Sequence, residues 1–137
     1  MRNIYLIGSL RNPSIPKIAT KLRDAGHYVF DDWFAAGELA DDAWRDYEVA
    51  RGHNLKQALA GHAANHVFEF DKIHLDLADT GILILPSGKS GHLELGYLIG
   101  RVCETYIVYP TEPERFDVMY LLADKVFNSL DELISRL

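Results

Sequence analysis

Two carboxylates stand where the pattern of the chain makes a carboxylate either costly or useful. Glu94 follows Ile82-Leu83-Ile84-Leu85-Pro86-Ser87-Gly88-Lys89-Ser90-Gly91, an apolar run that ends in proline and gives way to a Gly/Ser turn. This reads as a buried parallel strand, a tight loop and a helix that starts at Gly91. A carboxylate at that start meets the positive end of the helix dipole, which favours its ionised, nucleophilic form. Asp71 falls inside the apolar arc that Val67, Phe68, Phe70, Ile73, Leu75, Leu77 and Ala78 draw on a helical wheel. Burial of a carboxylate is unfavourable unless the group is paired or functional, and it raises the pKa toward that of a proton donor. Each residue also has a plainer account. Asp71 can be a buried, paired ion, and Glu94 an ordinary first-turn acid.

Other short segments could hold a ligand beside them. Backbone N–H groups of Gly8-Ser9-Leu10-Arg11, with the Ser9 hydroxyl and the Arg11 guanidinium, suit a phosphate or carboxylate. An ordinary strand-to-helix turn has the same composition. Asp31-Asp32-Trp33-Phe34 leaves the second strand on the ligand side, where aromatic rings can stack on a planar base or pack against Trp44 and Tyr47. Gly88-Lys89-Ser90 looks like the tail of a P-loop. That motif needs a glycine at position 83, which is Leu83, so a P-loop NTPase is excluded. His62 and His66 are four apart, but a zincin motif needs Glu where Ala63 stands, so solvated or capping histidines fit better. Cys103 has no partner cysteine and sits among apolar residues, as a core thiol does.

The elements that must position these groups alternate in type. Strands are expected over 4–7, 27–30, 82–85, 105–109 and 126–127. Helices are expected over 15–25, 67–79, 91–102, 116–123 and 129–137. Gly26 suits the end of the first helix, and Gly81 ends the one before the third strand. Ser129 with Glu132 reads as a capping box. Residues 38–65 are helical but broken at Gly52 and Gly61, giving two pieces with a mobile connection. The pattern implies an α/β, flavodoxin-like or Rossmann-like three-layer sandwich around a five-stranded, mostly parallel sheet.

Bulk properties narrow the function. A chain of 137 residues, 48% hydrophobic, is expected to form one domain. Its net charge of −6 argues against a nucleic-acid polymer as partner. No apolar run approaches the ~20 residues of a membrane span, and the apolar run at the N-terminus is too short for a signal peptide. A single cysteine fits a reducing compartment. A soluble, cytoplasmic protein is expected.

Taken in order, Tyr5-x-x-Gly8-Ser9-x-Arg11, Asp71, Ala78-Asp79 and Gly91-x-x-Glu94-x-Gly96 resemble the nucleoside 2-deoxyribosyltransferase family, whose relatives include nucleoside 5′-monophosphate N-glycosidases. The resemblance spans roughly the whole chain. It implies cleavage of the N-glycosidic bond between a base and (deoxy)ribose, with no metal or organic cofactor. The residue matching Glu94 attacks C1′, the one matching Tyr5 positions it, and the one matching Asp71 contacts the sugar or assists proton transfer. Dimers or larger homo-oligomers are implied. The chemistry agrees, since a retaining displacement takes one ionised carboxylate and one proton donor; the donor is Asp71, water or His92.

Two departures sort the branch. Transferases carry an Asp six residues before the nucleophile, and here that position is Gly88. Phosphate-using relatives have Ser there; Ser87 and Ser90 flank the position instead, and Gly8-Ser9-x-Arg11 matches the phosphate-using pattern. A small-molecule (deoxy)nucleoside 5′-monophosphate is therefore the expected substrate, held by Gly8, Ser9, Arg11, Asp32, Trp33, Ser87, Gly88, Ser90, Gly91 and His92. Free deoxynucleoside base exchange is the alternative. Residues 32–65 form a long insertion, expected to act as a helical lid with Trp33, Trp44 and Tyr47 in its wall. A non-catalytic nucleotide sensor would keep the two loops without needing a nucleophile. A structural module would use Asp71 and Glu94 only as a buried ion and a cap.

Overall fold

A computed structural model describes residues 1–137. Five strands, β1 (Asn3–Ile7), β2 (Tyr28–Phe30), β3 (Thr80–Ile84), β4 (Glu104–Val108) and β5 (Lys125–Phe127), pair in the order β2-β1-β3-β4-β5. Every pairing is parallel. The helices are α1 (Ile15–Asp24), α2 (Ala40–Ala50), α3 (Leu55–Leu59), α4 (His62–Leu77), α5 (Lys89–Gly100) and α6 (Leu130–Ile134). Short 3-10 turns lie at Asp32–Ala36 and Val118–Leu122. The three-layer α/β arrangement expected from the sequence is the one observed. No helix is long and apolar enough to cross a membrane.

The period of two along β1 divides the core. Ile4 and Leu6 pack with Ile82 and Ile84 of β3, with Ile15, Ile18, Ala19 and Leu22 of α1, and with Leu133 of α6. Tyr5 and Ile7 point to the other face, onto Leu83, Leu75 of α4 and Leu95 and Leu98 of α5. Covering both faces with helices is what lets β1 and β3 be apolar throughout. Tyr5 pairs with Gly81 and Ile7 with Leu83, so the loops after β1 and β3 leave the sheet side by side. There the chain turns from one side of β1 to the other, the place where open α/β sheets hold ligands.

Several boundaries differ from the sequence reading. Gly81 lies inside β3 rather than at a helix end. A Cβ there would stand 2.5 Å from Leu98 Cδ1, so the glycine makes room for α5 against the sheet. Helix α4 starts at His62, five residues before the expected Val67, and takes in both His62 and His66. The break at Gly52 is real, with φ at +80° where glycine is favoured. A capping box forms at Asn54 and Gln57, each side chain accepting from the other's N–H. At Ser129 only half of the expected box is made: its hydroxyl accepts from the Glu132 N–H at 3.3 Å, without the reciprocal bond. The expected helix over 116–123 is the 3-10 turn instead.

Only Leu75 among the large apolar residues of α4 is buried; Phe68, Ile73 and Leu77 remain more than half exposed. The apolar arc of the wheel is thus broader than the buried face. Helix α2 buries a single residue, Glu48, whose carboxylate meets His53 Nδ1 at 2.9 Å and Arg51 at 3.5 Å.

Gly91 shows how tightly α5 sits on the β3 loop. A Cβ at Gly91 would lie 2.2 Å from Ser87 Oγ and 3.1 Å from Ile7 Cγ2. Gly91→Ala is expected to destabilise the fold by about 1–3 kcal/mol, as overpacking does. Adding Ser87→Ala removes the closest clash. Chemical denaturation of both variants checks this: the double variant should recover part of the loss, and equal losses would contradict the packing account.

Candidate active site

The phase of β1 turns Tyr5 toward α5, and the second turn of α5 lays Glu94 over it. Tyr5, 1% exposed, donates its hydroxyl to Glu94 Oε2 at 2.6 Å. Burial drives the phenol pKa well above its ordinary value, and the neighbouring Glu94 charge adds to the effect. The hydroxyl therefore remains a donor at any working pH. Burial also pushes the Glu94 carboxyl up to about 7; the Tyr5 hydrogen bond opposes this, and the Asp71 charge adds to it. Asp71 is half-buried on α4, and burial raises its carboxyl pKa too, with His74 pulling it down.

These values correct the dipole argument. The helix begins at Lys89, not Gly91, so Glu94 is its sixth residue and its first turn holds no acid. The helix field acts mainly within the first turn. Near neutral pH, desolvation decides the state of Glu94, and it favours the protonated form.

A cavity of about 660 Å³ opens above this pair at the ends of β1 and β3. Its floor carries Glu94 and Asp71. Gly8, Ser9, Arg11, Ser87, Gly88, Ser90 and Gly91 line it from the two loops and the start of α5. Helix α5 has Gly88 as an N-cap that makes no side-chain bond, and it brings Lys89 to the same rim. Ser9 Oγ accepts the Arg11 N–H at 3.1 Å, which tightens the first loop, while the Arg11 guanidinium stands 3.9 Å from Asp42. The Ser87 Oγ is buried and makes no hydrogen bond. From the segment after β2, Asp32 and Trp33 form a side wall, and the Trp33 indole N–H donates to the Leu6 carbonyl at 2.8 Å.

Two expected site residues are not on this wall. Tyr5 lies beneath it and reaches the cavity only through Glu94. His92 is turned away: Nδ1 meets the Gly88 carbonyl at 2.8 Å and Nε2 meets the Tyr120 hydroxyl at 3.0 Å. With both ring nitrogens engaged outside the cavity, His92 is not placed to protonate a leaving base. The expected aromatic wall is also smaller, because Trp33 faces the cavity and Trp44 and Tyr47 do not. In their place stand His66, Val67 and Phe70 of α4, together with Glu38 before α2 and Asp41 and Asp42 of its first turn. The sequence signal for these was slight. His66, Val67 and Phe70 precede Asp71 within two turns, and the acids fall in a segment that reads only as helical.

No protein-family model matches the chain, and no curated protein matches it. Among solved structures, the fold is similar to that of a 2-deoxyribosyltransferase from Bacillus psychrosaccharolyticus, at 19% identity and a TM-score of 0.64, over 96% of this chain and 89% of that one. It is also similar to the CMP N-glycosidase BcmB of Clostridium botulinum, at 11% identity and a TM-score of 0.58, over 97% and 96%. At these identities the likeness establishes the shared fold.

The raised Glu94 pKa is a stability statement as well. The folded protein holds this proton more tightly than the unfolded chain, so its stability falls as pH rises from about 4.5 to about 7 and stays lowered above that. Glu94→Gln removes the titration and keeps an acceptor for Tyr5. Its melting temperature is expected to exceed the parent's at pH 8 and to match it at pH 4. Thermal melts at the two pH values decide this, and a uniform loss at both would show that the carboxylate is not strained.

Proposed function

We propose that this protein is an N-glycosidase that cleaves a (deoxy)nucleoside 5′-monophosphate through a covalent glycosyl-Glu94 intermediate. The reading is carried by the buried Tyr5–Glu94 pair on the floor of a cavity whose rim holds Ser9, Arg11 and Lys89. The two fold relatives act on N-glycosidic substrates, which supports the same reaction class. A Glu94 oxygen attacks C1′, the C1′–N bond breaks, and its electron pair leaves with the base. Asp71, whose carboxyl pKa burial shifts upward in the direction a proton donor needs, gives the base its proton. Water then attacks C1′, returns its proton to Asp71 and frees the Glu94 carboxylate. The 5′-phosphate sits against Ser9, Arg11, the Ser87–Gly91 turn and the open N–H groups of α5. Residues 32–65 act as a lid, with Trp33 and Phe70 flanking the base.

Base exchange on free deoxynucleosides is the second reading, and one observation favours it. Asp32, Glu38, Asp41 and Asp42 line the same cavity as Arg11 and Lys89, so its overall field is negative. A neutral nucleoside meets less repulsion there than a phosphate dianion. The apolar residues left exposed on α4 support assembly into a homodimer or larger homo-oligomer. A monomer by sedimentation at micromolar protein would count against that.

Base release from ribo- and deoxynucleosides and their 5′-monophosphates, with and without a second free base, tests the function. Release from a monophosphate is the expected result. Glu94→Ala should lower it by at least about a thousandfold while the fold persists, as loss of a nucleophile does. The parent's kcat/KM should be bell-shaped in pH, because it needs Glu94 ionised, with a pKa of about 7, and Asp71 still protonated. Exchange confined to free deoxynucleosides would select the second reading. Tight nucleotide binding with no release would select a sensor.

A further inference from the structure

The Tyr5 ring packs at a tilt of 46° onto Phe30, the first of a cluster of rings. Tyr5 lies 5.1 Å from Phe30 between ring centroids, and Phe30 lies 3.9 Å from His74 with only 8° between the planes. Phe70 closes the group, 5.7 Å from Phe30 and 4.8 Å from His74. His74 Nδ1 meets the Phe70 carbonyl one turn back at 2.9 Å, so Nδ1 carries a proton and the ring cannot swing freely about χ2. The order is thus His74, Phe30, Tyr5, Glu94, running from α4 through β2 and β1 to α5.

We propose that His74 is a positioning residue for the Tyr5–Glu94 pair, the ring stacked behind Phe30 so that Phe30, packed at a tilt on Tyr5, holds the phenol at the angle its hydroxyl bond requires. This rests on the reading of Glu94 as nucleophile. A phenol at the end of a rigid strand still has freedom to tilt about χ1 and χ2. The 2.6 Å bond to Glu94 needs that freedom removed. Phe30 removes it from one side, and His74 backs Phe30 where the β2 edge would otherwise face solvent. A flat ring suits the role because it stacks on Phe30 over its whole area.

His74 has a second link to the site, one turn away on α4, because its charge opposes the rise in the Asp71 pKa. Other charged or titratable groups face it. Asp32 comes from the segment after β2, Arg23 from α1 and His27 from the turn before β2, all lining a cavity of about 330 Å³ with His74 and Phe30. Any test must therefore separate stacking from charge.

Two variants do so. His74→Phe keeps a flat ring and loses the charge; His74→Ala loses both. The carboxyl of Glu94, followed by carbon NMR across pH without any substrate, should titrate higher in His74→Ala than in His74→Phe by roughly half a pH unit, because a loosened Tyr5 no longer lowers it. Phe30→Leu, which leaves His74 in place, should move Glu94 the same way as His74→Ala. Equal Glu94 titration in the two His74 variants, or no movement in Phe30→Leu, overturns the proposal. With turnover as the readout, His74→Ala is expected to lose about tenfold in kcat with KM little changed, and His74→Phe to regain most of it. If the parent releases no base from any substrate, the catalytic reading fails, while the titrations still decide the stack.

Discussion

Between the sheet and α5, the Tyr5 hydroxyl finds its partner in the Glu94 carboxylate, and the 2.6 Å contact is the result. Neither group tolerates burial alone. The tyrosine is held on this face by the alternation of β1, which sends Ile4 and Leu6 the other way into the α1 and α6 layer. The glutamate is held by α5, whose approach depends on Gly81 and Gly91 lacking side chains. Shifting β1 by one residue would exchange Tyr5 with Ile4 or Leu6 and leave Glu94 facing hydrocarbon. The floor of the cavity therefore depends on strand phase, helix approach and the pairing of two polar groups at once.

The electrostatics follow from the same burial. Glu94 and Asp71 are each pushed toward the neutral form by desolvation, and the Asp71 charge adds to the cost of ionising Glu94. Tyr5 and His74 oppose those shifts from opposite sides, one by a hydrogen bond and one by charge. Two carboxyls whose environments differ in this way are suited to divide the roles of nucleophile and acid between them.

Much of this was legible before any coordinates. A five-stranded, mostly parallel sheet with helices on both faces follows from alternating periods, and the two loops were marked by Gly8-Ser9 and Ser87-Gly88. Asp71 was marked by its place on an apolar arc. What could not be read was angular and long-range. A start at Lys89 rather than Gly91 moves Glu94 by half a turn relative to the helix end, enough to replace a dipole argument with a desolvation one. His92 looked as well placed as Ser90, but the direction of a side chain off α5 is set by Tyr120, twenty-eight residues later. The acids Glu38, Asp41 and Asp42 reach the cavity only because α2 folds back over it, and nothing local in the sequence encodes that return.

The hold of α2 on the rest of the molecule is thin. It rests on one buried residue, Glu48, clasped by groups of its own neighbourhood, on the half-buried Trp44, and on an exposed contact between Asp42 and Arg11 at 3.9 Å. Exposed pairs of this kind weaken as salt rises, over a Debye length of about 8 Å at physiological ionic strength. The sheet and its two apolar layers do not respond in that way. The mouth of the cavity and its floor are therefore governed by different solvent variables: ionic strength for the guanidinium at the rim, proton activity for the carboxyls beneath.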